Sequence, residues 1–345
     1  MSKLFKQLKL VKWPAAMLLA IFVITGCQQA KDEVRSIHGL TMGTSYSVKW
    51  VSRDEGTQKV HASVEAVLKD INQSMSTYIK TSELSQLNQS ASTDWMPLSA
   101  ALYDVLRLST AISEQTGGAF DVTVGPLVNL WGFGPDGRVV KAPSESQIET
   151  QRARVGYQKV GLNPGQQQVK KAVADLYIDL SAVAKGYAVD RVASLLEEQG
   201  ITRYLVEVGG ELRAKGLKPG GKDWRIAIET PDASTRSVQR IINVQDIAIA
   251  TSGDYRNYFE ENGVRFSHTI DPATGAPINH SLASVTVLAS TCAEADALAT
   301  AFMVMGTERG YEYAMQHRIN ALFIRKSGDG FEEVITPGFK KYLAK

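Results

Sequence analysis

Four runs between residues 203 and 290 read as β-strands: "RYLVEVGGELRAKG", "WRIAIET", "DIAIATSG" and "SVTVLAS". Apolar and β-branched residues fill them, and glycines mark their turns. Helical signals flank this block. Residues about 58–80 and 99–116 carry helical periodicity, and "ADLYIDLS" reads as a strand running into the helix "AVAKGYAVDRVASLLEEQG", which Gly200 ends. A last helix begins near 293, is interrupted near Gly306, and leads to the strand-like "ALFIRK" and "FEEVITP". Near the start, "HGLTMGTSYSVKWV" alternates like a strand with a break at Gly43. Strands and helices mix without a strict βαβ rhythm. The expectation is one α+β (mixed α/β) domain with helices packed on mixed sheets. The polar, turn-rich stretch 132–168 reads as a surface excursion.

The N-terminus has a separate logic. "MSKLFKQLKLVKW" is basic, "PAAMLLAIFVITG" is apolar, and Cys27 follows at once. That order is a signal peptide, too short for a comfortable membrane span. "ITGC" is similar to a lipobox, which directs lipidation of the cysteine thiol. The division expected is a lipoprotein signal peptide at 1–26, a lipidated polar tether at 27–35 and the folded domain at 36–345. Lipidation at Cys27 leaves Cys292 with no cysteine to pair with, since the chain has two. The expected location is the periplasmic side of the cell membrane, the inner membrane ahead of the outer. The formal net charge is +2, and four lysines of the leader supply part of it. With no basic stripe interleaved with aromatics, nucleic acid is not an expected partner.

No Walker loop, dinucleotide-binding glycine fingerprint, HExxH, GxSxG or paired-cysteine metal motif occurs. Oxygen chemistry remains. In "TCAEADALATAFMVMG", Asp296 and Thr300 stand four apart and share a helical face. They are either hard ligands for Mg²⁺ or an internal hydrogen-bonding pair or cap; alone, the spacing favours the latter. "DLSAVAKGYAVD" puts Ser181 at a helix start with Lys185 one turn inside, which is either a phosphate cradle or a capped helix with a solvated lysine. Gly209 and Gly210 either bring backbone close to a ligand or make a β-turn. His268, on a strand before a Pro/Gly turn, is structural or catalytic.

Seven motifs decide among these readings. "MGTSYSV", "GGAFDVTVGPL", "IDLSAVAKGYAVD", "YLVEVGGELRAKG", "ATSGDYRNYF", "SHTIDPATGAPI" and "CAEADALATAFMVMG" resemble, in order, the motifs of the ApbE family of FAD:protein FMN transferases, across residues 36–340. The resemblance implies a single domain of that family's T-fold-related type, a bound FAD, Mg²⁺, and transfer of FMN from FAD to a threonine hydroxyl of another protein with release of AMP. It implies metal ligation by Asp296 and Thr300, with main-chain oxygen at Ala184 and Ala299. It implies FAD contacts at Met42, Tyr78, Ala119, Phe120, Asp121, Ser181, Lys185, Tyr187, His268 and Ile270. His268 is the expected base for the acceptor hydroxyl, with Asp271 the weaker alternative. The acceptors implied are flavin-carrying subunits of Na⁺-translocating NADH:quinone oxidoreductase or of Rnf-type complexes. Two other functions are open on the sequence: an FAD pyrophosphatase giving free FMN and AMP, and a non-catalytic, lipid-anchored FAD-binding protein.

Overall fold

The computed structural model describes residues 31–53, 56–135, 137, 141–232, 237–328 and 330–344. Its spine is an eight-stranded sheet: β1 Glu33–Thr41, β2 Thr44–Ser52, β3 Tyr204–Val208, β4 Glu211–Lys215, β5 Ile247–Gly253, β6 Leu282–Ala289, β7 Asn320–Ser327 and β8 Gly330–Ile335. The strands lie side by side in chain order, and each neighbouring pair is antiparallel. Met42 and Gly43 take φ of 49° and 70° between β1 and β2, the positive pair that a tight type I′ hairpin needs. The sheet is therefore a meander into which other elements are inserted.

Seven helices are described: α1 Thr57–Met75, α2 Glu83–Gln89, α3 Ala100–Gln115, α4 Gly125–Leu130, α5 Glu145–Arg152, α6 Ala184–Glu198 and α7 Cys292–Gln316. Strand alternation divides the burial between the two sheet faces. Tyr46, Val48, Trp50, Tyr204, Val206, Ala248, Ala250, Val285 and Val287 face the main core under α1, α3, α6 and α7. The residues between them, Val51, Leu205, Ile249 and Leu288, face a second core. The hairpin Trp224–Glu229/Val238–Val244 covers that side with Trp224, Ile226 and Ile242. Burial on both faces shows along β6, where residues 282–288 are all buried, the polar Ser284 and Thr286 included.

Several local expectations shift. The periodicity at 58–80 ends early: α1 stops at Met75, and Ser76 Oγ accepts from the backbone N–H groups of Tyr78 and Ile79. Hydroxyls that bond nearby backbone compete with helix in this way, and Tyr78 lands on a loop. "ADLYIDLS" forms no strand: Ala174 and Asp175 lie in a turn, and residues 176–180 join no sheet among the described residues. Asn88 brackets Ile178, accepting from its N–H and donating to its C=O at 2.8 Å each. The 132–168 excursion contains α5, closed by a Ser144/Gln147 capping box, and strands at Val160–Asn163 and Gln168–Lys171. The sheet also begins inside the stretch read as tether. β1 starts at Glu33, and Asp32 accepts from Arg53 Nε at 2.8 Å and Arg203 Nη2 at 2.7 Å. The leader and Cys27 lie outside the described residues. Among the described residues, no helix is long and apolar enough to cross a membrane.

Candidate active site

Two helices meet at the floor of a cleft beside β4 and β5. Gly186 in α6 packs against the first residues of α7: a Cβ there would lie 2.4 Å from the Cys292 carbonyl oxygen and 2.8 Å from Ala293 Cα. Only a residue without a side chain permits this approach. Asp190, one turn further along α6, accepts from the N–H groups of Cys292 (3.0 Å) and Ala293 (2.9 Å) and from Arg213 Nη1 (2.8 Å). The orphan donors at the start of α7 are thus satisfied from α6, and the dipole favours the carboxylate there. The same junction fixes Asp296, whose Oδ2 accepts from Gly186 N–H at 3.0 Å.

Around Asp296 the cleft is lined by oxygen and one cation. Thr300 Oγ1 lies 3.4 Å from Ser252 Oγ on β5. Lys185 Nζ is ion-paired to Glu211 Oε1, while Glu211 Oε2 is buried without a hydrogen-bond partner. Burial pushes the Asp296 carboxyl above the usual carboxylate range, and raises Glu211 to about 7 against the pull of Lys185. Burial would lower Lys185, but the carboxylates of Asp296 and Glu211 outweigh it and hold the ammonium above the ordinary lysine value. Glu211 carries no signal in the sequence beyond following Gly209-Gly210. Those glycines, with φ of 64° and 106°, swing it in, and a Cβ on Gly209 would meet Thr44 Cγ2 at 2.8 Å and Lys185 Cδ at 3.1 Å.

On another wall, His268 Nδ1 lies 3.1 Å from the Asn257 carbonyl oxygen. A carbonyl only accepts, so Nδ1 carries the proton and Nε2 keeps its lone pair. Burial lowers the imidazole pKa, against the Asn257 hydrogen bond that raises it, so the ring is a neutral base near pH 7. Asp271 holds its own turn instead of facing a substrate, since its Oδ1 accepts from Ala273 N–H at 2.9 Å and its carbonyl from Gly275 N–H.

The cleft, about 440 Å³, brings together Tyr78, Ala119, Phe120, Asp121, Ser181, Lys185, His268, Ile270, Asp296 and Thr300. A neighbouring hollow of about 750 Å³ adds Met42 and Ala184 and shares Tyr78, Ser181 and Lys185 with it. Tyr187 and Ala299 line neither. Two residues beyond Lys185, Tyr187 is turned about 200° round α6 and packs against the main core. Ala299 is fully buried, its side chain turned about 100° from Thr300. Two of the expected ligand contacts line the cleft and also tie down the local chain. Asp121 Oδ1 accepts from Thr123 N–H (2.8 Å) and Thr123 Oγ1 (2.6 Å), and Oδ2 from Tyr157 N–H (2.8 Å), which ties down its turn. Ser181 does not open α6, which follows Val183; its hydroxyl and N–H both donate to Asp179 Oδ1.

The donors suit Mg²⁺. No group of three His, Cys, Asp or Glu side chains that could hold a metal occurs among the described residues. Mg²⁺ does not need one, since it commonly binds through one or two carboxylates and completes its shell with water and substrate phosphates. Asp296 and Thr300 supply such a partial set.

Fold and cleft define an α+β protein that gathers buried carboxylates, hydroxyls, an ammonium and a neutral imidazole around a ligand-sized hollow. The ApbE family profile matches residues 42–323. An FAD:protein FMN transferase of Vibrio cholerae is 45% identical over 330 residues, covering 95% of this chain and 98% of its own. That of Haemophilus influenzae is 43% identical over 342 residues, covering 96% and 98%. Among solved structures, the flavin transferase ApbE from Vibrio cholerae superposes with a TM-score of 0.84 at 45% identity, covering 90% of this chain and 100% of that one. The apo flavinyl transferase ApbE of Pseudomonas stutzeri gives 0.83 at 39% identity, covering 90% and 97%. The chain belongs to the ApbE family.

Proposed function

We infer that this chain is an FAD:protein FMN transferase that moves FMN from FAD to a threonine hydroxyl of an acceptor protein and releases AMP. The observation that carries the reading is the opposition, in one cleft, of a neutral imidazole and a buried cluster of Asp296, Thr300, Lys185 and Glu211, in a chain whose relatives bear that activity in their names. The threonine Oγ attacks the FMN-side phosphorus, the bond from that phosphorus to the bridging oxygen breaks, and AMP departs with that oxygen. The hydroxyl proton passes to His268 Nε2. Such a reaction asks for placement and charge neutralisation more than covalent help.

The residues of the cleft divide the work of that scheme. Lys185 offers positive charge to the pyrophosphate. His268 accepts a proton while Asn257 holds its tautomer. Asp296, fixed through Gly186, would hold Mg²⁺ with Thr300 and main-chain oxygen at Ala184 and Ala299. When bound there, Mg²⁺ supplies Lewis-acid neutralisation of the charge that develops on the leaving phosphate. Flavin-bearing subunits of Na⁺-translocating NADH:quinone oxidoreductase or Rnf-type complexes are the acceptors we propose. With the basic and apolar leader ending at Cys27, we place the enzyme on the periplasmic side of the membrane as a lipoprotein.

The decisive experiment mixes the protein with FAD, Mg²⁺ and such a subunit and weighs the acceptor by mass spectrometry. The expected result is a gain of one FMN less one water, located on a threonine, with equimolar AMP. Free FMN and AMP with an acceptor of unchanged mass would establish a pyrophosphatase instead.

A further inference from the structure

Glu211 has no role in the scheme above, yet it is the most deeply buried carboxylate of the cleft apart from Asp296: both are 3% exposed. It reaches its place through two left-handed glycines, and a Cβ on the first would press on both Thr44 and the Lys185 side chain. One oxygen holds the Lys185 ammonium and the other has no partner. Lys185 immediately precedes Gly186, whose N–H is bonded to Asp296. The ammonium therefore has two carboxylates within electrostatic reach, and the turn delivers one of them to it directly.

A cation and an ammonium compete for the same carboxylate. Were Lys185 paired to Asp296, Mg²⁺ would have to displace it at the cost of leaving a half-buried ammonium unpaired beside the cation, which is unfavourable. We propose that Glu211 is a positioning residue that holds the Lys185 ammonium aside from Asp296, keeping that carboxylate available to a divalent cation while leaving the ammonium within reach of the FAD phosphates. This rests on the metal and phosphate reading of the proposed function and names how the site keeps its two positive charges apart. The two-glycine turn then has a reason: it brings an acid to the lysine from β4, a different element from the α7 that carries Asp296.

The test is a double-mutant cycle read by calorimetric titration of Mg²⁺ alone into the FAD-free protein, with Asp296→Ala as reference. Glu211→Gln is expected to weaken Mg²⁺ binding at least about tenfold, because the freed ammonium moves onto Asp296. Adding Lys185→Met to Glu211→Gln removes the competitor and is expected to restore affinity to within about threefold of wild type. A double variant as weak as Glu211→Gln overturns the inference, since Glu211 would then be a ligand itself or a structural support. So does unchanged affinity in Glu211→Gln while Asp296→Ala loses binding, a result that leaves the proposed function standing. Wild-type Mg²⁺ binding that Asp296→Ala does not diminish would instead remove the metal reading, and this inference with it. If Glu211→Gln does not fold, as judged by circular dichroism, Lys185→Met alone decides: it must bind Mg²⁺ at least as tightly as wild type, and weaker binding overturns the inference.

Discussion

His268 and Asp296 do different work although burial disfavours the charged form of both. Burial favours the neutral form of His268, and the Asn257 carbonyl leaves its free lone pair on Nε2. A base of this kind is fully available above its pKa and lost below it. Glu211, raised to about 7, and His268, lowered from the ordinary histidine value, both lose their working form as pH falls, so transfer activity should decline through and below neutral pH. His268→Asn keeps size and polarity without a basic nitrogen. It should bind FAD nearly normally yet transfer FMN on the order of 10²-fold or more slower, with the histidine's share of the acid limb removed and partial recovery at high pH. Full-rate transfer by His268→Asn at saturating FAD would reduce the histidine to a scaffold. Asp296 answers to a different measurement. Asp296→Ala should eliminate Mg²⁺-dependent turnover, while Thr300→Ala, losing a neutral donor that water can replace, should be milder and partly rescued by excess Mg²⁺. Wild-type rate in Asp296→Ala at limiting Mg²⁺ would refute the metal assignment.

At the scale of elements, the site is the junction of α6 and α7. Gly186 lets the helices touch, Asp190 satisfies the start of α7, and Asp296 is held by the same backbone. Gly186→Ala should therefore act twice. Its methyl would fall 2.4 Å from the Cys292 carbonyl oxygen, a backbone atom that cannot swing away, so overpacking should cost about 1–3 kcal/mol. Helix separation would also displace Asp296, and misplacements of about 1 Å can cost about 10²-fold in rate. Thermal melting and flavinylation assays check both, and a variant with wild-type melting point and rate would show that the helices do not need this approach. The junction also explains what the sequence discloses. The i, i+4 placement of Asp296 and Thr300 is local helical geometry, so it is legible, as is α3 from its period and its Ser99 cap. Glu211 is not, because its partner Lys185 is 26 residues away and a glycine pair looks the same whether it turns a strand or delivers an acid. Asp121 and Ser181 line the cleft and carry a second duty that the sequence does not show. Their polar atoms stabilise the turns they sit on, and nothing in a motif separates a side chain that faces a ligand from one that holds the loop beside it.

On the whole-molecule scale, the meander stabilises the cleft from two sides. The main core fixes α6 against β3 and β4 and α7 against β5 and β6, and the second core backs these strands from behind. Chain order and sheet order coincide, although insertions of very different length separate the strands, which is why periodicity reveals the fold class and leaves the strand order open. Among the described residues, Asp32 is clasped by Arg53 and Arg203, with β1 following at once. From there β1 runs nine residues to the Met42 turn at the rim of the hollow, roughly 30 Å at strand rise. A chain starting near Ala30 thus retains each element that positions the cleft, and anchoring should govern where the enzyme works and not how fast. We expect that shortened chain to be soluble and to flavinylate a soluble acceptor at the wild-type rate. The full-length Cys27→Ser chain should remain an unlipidated or unprocessed precursor, detected by loss of radiolabelled fatty acid and by its larger mass. Normal lipid labelling of Cys27→Ser would end the anchor hypothesis. Loss of transfer in the shortened chain, with its fold intact by circular dichroism, would show instead that residues before Ala30 contribute to the reaction itself.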